Sequence, residues 1–161
     1  MGFLQPNGRG CRLFRRAPLK PARREPVIIV HSLVQAIAAL TATVKVGRAV
    51  VLLSAPGAGS YVGPGWFGAM VDAAGEAVPD ARFSAFLDCG NDVGAALAAI
   101  RSEIQGVVFT GRADVARRLA DIAIQHGVQF ATNRPAPAHD LGEDFFASPE
   151  VLEQRCADLL T

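Results

Sequence analysis

At 161 residues the chain is long enough for one domain with a real core, and 50% hydrophobic against 19% charged residues excludes a disordered protein. A net charge of +1 conceals an asymmetry: residues 1–25 carry seven basic residues and one acid, whereas residues 26–161 carry nine basic and fourteen acidic ones. The mildly acidic body has no electrostatic reason to bind nucleic acid.

Cys11, Cys89 and Cys156 are scattered and form no CxxC pair, which predicts reduced thiols in a cytoplasmic compartment rather than a disulfide framework. His31, His126 and His139 show no metal-ligand spacing, so no metal site is expected. Residues 1–25 contain three prolines and lack the apolar core of a secretory signal. They read as a basic, disordered or loosely docked extension. Pro26 marks the start of a single α/β domain over residues 26–161.

Val27–Val30 is a β-branched run and reads as a strand. Ser32 then caps a helix, with Gln35 as capping-box partner, Leu33, Ile37, Leu40 and Val44 on one face, and Gly47 as terminator. The polar residues and the cap inside Val27–Val46 argue against a membrane span. Ala49–Leu53 is a second strand, followed by the glycine-rich loop Ser54–Gly65 and a helix from Trp66 to Ala77. Phe83–Leu87 is the third strand. It stops at Asp88, and a helix burying Val93, Leu97, Ile100 and Ile104 follows. Gly106–Phe109 is the fourth strand, and the helix after it presents Val115, Leu119 and Ile122. Val128–Ala131 is the fifth. Residues 135–147 read as a loop, with Asp140, Glu143 and Asp144 as solvated acids. Ser148–Pro149–Glu150 starts a last helix.

Strands alternating with helices predict βαβ crossovers and a sheet of about five mostly parallel strands, flanked by helices. An open sandwich is the first expectation and a half-barrel the alternative. Ligands of such sheets bind beyond the carboxyl ends of the strands. The strand ends therefore nominate His31, Ser54, Asp88, Cys89, Thr110, Gly111, Asn133 and Arg134, and the loop adds Gly57 and Gly59. Asp88 is a candidate acid or base and Cys89 a candidate nucleophile at a helix amino end. The loop approximates a dinucleotide fingerprint, but its last glycine, Gly63, falls one residue late, and Gly-Lys-Ser/Thr is absent. No cofactor is expected; a phosphate or carboxylate held by backbone amides is the better fit. The only lysines are Lys20 and Lys45, which counts against Schiff-base chemistry.

The stretches LLSAPGAGSYVGPGWF and FLDCGNDVGAALAAIRSEIQGVVFTG resemble those of small bacterial α/β proteins of no established activity, over about Val27–Ala131. The resemblance implies the fold and brings no site residue. Three functions stay open. The first is a domain binding a small anionic metabolite at the strand ends. The second is a lyase- or transferase-like enzyme using Asp88. The third is a subunit, homo-oligomeric or otherwise, whose partner covers a sheet edge.

Overall fold

The computed structural model describes residues 25–161, so the basic extension, Glu25 apart, lies outside the described residues. Six strands run β1 (Val27–Ile29), β2 (Val50–Leu53), β3 (Phe83–Asp88), β4 (Gly106–Val108), β5 (Gln129–Ala131) and β6 (Ala138–Asp140). Among the described residues six α-helices accompany them, α1 (Leu33–Val46), α2 (Ala58–Tyr61), α3 (Gly63–Ala77), α4 (Val93–Arg101), α5 (Ala113–His126) and α6 (Pro149–Leu160), with a short 3-10 helix at Gly142–Asp144. The strands form one sheet in the order β5-β4-β3-β2-β1-β6, and every pairing is parallel. This is a parallel α/β domain with helices flanking the sheet.

Local chemistry sets the helix ends. The Ser32 hydroxyl accepts from the Gln35 amide, and Gly47 ends α1 in the left-handed region at φ 74°. Asp92 caps α4 through the Ala95 amide at 3.0 Å. The face of α1 differs from the one its sequence suggests. Leu33 and Val44 are exposed, while Ala36, Ala39, Leu40 and Ala42 pack on the sheet. Alanines are buried there because α1 lies between α3 and α6, where short side chains allow close approach.

Strand order decides between the two expected arrangements. Strands β1 to β5 are neighbours in chain order, so each right-handed crossover steps the same way and leaves its helix on the same face. Side-chain alternation agrees. Ile28, Leu52, Leu87 and Val107 point into the core shared with the helices. Val27, Ile29, Leu53 and Val108 form a separate buried cluster on the opposite face, to which, among the described residues, no helix contributes. The arrangement is that of the half-barrel.

The link between β5 and β6 shows how strongly the sheet curls. It must pass from the carboxyl end of β5 at one edge to the amino end of β6 at the other, within residues 132–137. A flat sheet would place those edges about 24 Å apart, at about 4.8 Å per strand, which is close to the full reach of such a link even before its descent along the strands. The edges therefore curl toward each other. This accounts for the sixth strand, within a segment expected to be a loop.

Gly106 lets the curled face close. A Cβ on it would stand 2.5 Å from the Phe86 ring on the paired strand. Gly106→Ala is expected to cost about 1–3 kcal/mol through overpacking. Urea unfolding will show the loss, and adding Phe86→Leu should recover part of it.

Candidate functional site

The carboxyl ends of the strands carry most of the polar side chains nominated from sequence. Their centre is Asp88, the last residue of β3, which is 2% exposed. Its Oδ1 accepts from the Gly57 amide at 2.9 Å and the Gly90 amide at 2.7 Å. Its Oδ2 accepts from the Arg134 guanidinium. Its own amide donates to Ser54 Oγ at 2.8 Å, and Arg134 also donates to the Ser54 carbonyl at 3.3 Å. Asp88 thus ties the β2–α2 loop, the β3–α4 turn and the β5–β6 link into one knot.

The glycine-rich loop and Arg134 do bind a carboxylate, and it is the chain's own. Gly57, at φ 67°, aims its amide at Asp88 and opens α2. The loop is largely helical, since α2 and the first turn of α3 occupy it. That corrects the expected helix start at Trp66, and Pro64 in the first turn of α3 is the physical reason. Gly59 serves packing: a Cβ there would meet Cys89 Sγ at 2.6 Å. A proposed acid or base at Asp88 finds both oxygens committed.

Cys89 is fully buried among core residues. Burial, then the charges of Asp88 and Asp92, push its thiol up to about 12. At neutral pH it keeps its proton, and a nucleophile needs the thiolate. Its geometry is that of a packing residue under Gly59. The helix amino end does not lower its pKa, because the nearest charges are negative.

Thr110 and Gly111 stand at the end of β4. The cap of α5 is Arg112, so Thr110 is not a capping residue; its amide donates to the Gly90 carbonyl at 2.7 Å. Together with Asn91, Val93, Phe109, Arg112 and Val115 they line a cleft of about 380 Å³ between the starts of α4 and α5. Arg112 pairs with Asp114 at 3.0 and 3.1 Å on the exposed lip. Asn133 is exposed on the β5–β6 link.

His31 follows β1 and is apart from the knot. Its Nε2 lies 2.6 Å from Asp140 Oδ1, at the end of the neighbouring β6. Asp140 also accepts from the Gly142 amide at 2.8 Å. Burial raises the Asp140 carboxyl, but the bonds from His31 and Gly142 and the charges of His31 and Arg134 outweigh it, and the carboxyl lies below its ordinary value. Asp140 and Asp144, expected as solvated acids, are both paired; Asp144 binds Arg155. Asp140 was missed because the strand that carries it has three residues set among prolines and shows no period to read.

No family model matches the chain, and no curated protein matches it. Among solved structures it is similar to a “putative fructose-1,6-biphosphate aldolase” from Coccidioides immitis, at a TM-score of 0.55 and 16% identity. The match covers 66% of this chain and 39% of that one. At this identity the likeness is one of α/β fold. Lys45, at the end of α1, pairs with Glu153 at 2.6 Å and is not at the strand ends.

Two outcomes test the knot. Asp88→Asn keeps an acceptor for the two amides but loses the charge facing Arg134, and should cost about 2–4 kcal/mol in urea unfolding. In the native protein Cys89 should react with a thiol-specific reagent only at the rate of unfolding, so labelling should accelerate in Asp88→Asn.

Proposed function

We propose that this domain binds a small anionic metabolite at the carboxyl ends of its strands, in the cleft between α4 and α5. The observation that carries the reading is the cleft itself: about 380 Å³, open at the strand ends, with Asn91, Thr110, Gly111 and Arg112 around it. Among the described residues no side chain caps the amino end of α5, so its first amides are available to an anion, and the helix dipole favours one. Arg112 supplies a guanidinium at the same end. Val93 and Val115 give the cleft apolar walls against which a carbon skeleton can lie. The knot directs the proposal here, since Gly57, Asp88 and Arg134 already satisfy one another.

Phosphate, sugar phosphates and small dicarboxylates, each at millimolar concentration, are the probes, read by thermal shift and calorimetry. At least one should raise the midpoint of unfolding, because a ligand of the native state stabilises it. Arg112→Ala should weaken that ligand about tenfold, the scale of one charge-assisted hydrogen bond. Asp114→Asn should tighten it, since Arg112 is released from its internal partner. No shift with any of these anions would refute the reading.

A further inference from the structure

The ends of β1 and β6 hold an arrangement that the anion cleft does not use and with which it shares no residue. His31 and Asp140 face each other at 2.6 Å, and a buried amide clamps both backbones. Gln35, 0% exposed, accepts from the His31 amide at 2.7 Å and donates from its side-chain nitrogen to the Leu141 carbonyl at 2.7 Å. A single core side chain thus holds the residue that carries the imidazole and the residue next to the carboxylate. Gly142 completes the support by donating to Asp140, and a Cβ at Gly142 would come within 3.2 Å of the imidazole Nε2. Groups preorganised in this way by a buried second partner are what proton-transfer catalysis requires.

The imidazole is engaged on the β6 side and borders an opening on the β2 side. That opening, of about 70 Å³, is lined by His31, Ser54, Tyr61 and Trp66 together with apolar side chains. At about 30 Å³ per water it admits only a few heavy atoms, the reacting end of a small molecule. Tyr61 and Trp66 are largely exposed and flank its entrance. Ser54 Oγ is committed, accepting from Asp88 and donating to the Ala55 carbonyl. The Tyr61 hydroxyl has no hydrogen-bond partner among the described residues, which leaves it free for a substrate oxygen.

We propose that His31, oriented by Asp140, is the acid–base residue of a second site on this rim, acting on a small carbonyl compound with an ionisable C–H beside the carbonyl. With the Nε2 proton donated to Asp140, Nδ1 carries the lone pair. Nδ1 takes the proton from the carbon, the C–H pair becomes the C=C bond of an enolate, and the carbonyl π pair moves to oxygen, which the Tyr61 hydroxyl can meet. The imidazolium so formed faces the Asp140 carboxylate. Return of a proton from Nδ1 to carbon regenerates the carbonyl, so that in heavy water the net change is C–H to C–D.

The test is exchange in heavy water, followed by proton NMR, with hydroxyacetone, dihydroxyacetone and pyruvate. The wild-type protein should accelerate loss of the C–H signal of at least one of them well beyond equimolar free imidazole. His31→Gln should remove a hundredfold or more of that acceleration, and Asp140→Asn about tenfold, with circular dichroism unchanged in both. Nitrogen-15 NMR of the imidazole supplies a readout that needs no substrate. Wild-type His31 should be the Nε2–H tautomer, and Asp140→Asn should mix the two tautomers. Exchange no faster than free imidazole, exchange that survives His31→Gln, or an Nδ1–H tautomer in the wild type would each overturn the proposal. None of these results bears on anion binding at Arg112, so the two readings fail separately.

Discussion

A buried carboxylate must be matched inside the protein or it destabilises the fold, and Asp88 is matched from three directions. The Gly57 and Gly90 amides and the Arg134 guanidinium come from segments far apart in the chain, and they meet on one side chain at the end of a central strand. The conformation of the glycine-rich loop follows from this, since Gly57 must take a positive φ to present its amide. So does the path of the β5–β6 link, because Arg134 anchors it over the strand ends. Removing the carboxylate would release three connections from one another.

Among the described residues the helices of the half-barrel cover one face of the sheet only. Sequential strand order sends every helix to one face and leaves the other to Val27, Ile29, Leu53 and Val108. Curling of the sheet brings these side chains together and buries them. Residues 132–137 join the two edges, and Arg134 ties them to Asp88 and Ser54 at the strand ends. Small side chains help the curl: Gly106 accepts the Phe86 ring, and Ala131 and Ala138 stand at the two edges.

The strand ends then divide into three regions with different chemistry. The centre is closed, because its charges pair with one another. The β4 side opens into a cleft with an uncapped helix start and a surface arginine. The β1–β6 side presents an imidazole and a carboxylate backed by the buried Gln35. Polar residues at strand ends are therefore of two kinds, those that hold the rim and those that face solvent. Their residue types do not separate the two: Asp88 and Asp140 are both aspartates ending parallel strands.

The α/β class, five of the six strands and the major helices followed from the sequence, because apolar period, caps and turn glycines are local properties of the chain. The β-branched run at Val27, the Ser32 cap and the break at Asp88 each act within a few residues. The rim as a set of candidates was legible for the same reason, since every parallel strand must end on the same side. Which candidates pair with which was decided only in three dimensions. Gly57 and Asp88 are 31 residues apart, Asp88 and Arg134 46, and His31 and Asp140 109. No local pattern encodes such pairings; they depend on strand order and on the curl of the sheet. The short β6, stabilised by pairing to β1 rather than by its own propensity, could be found only there as well.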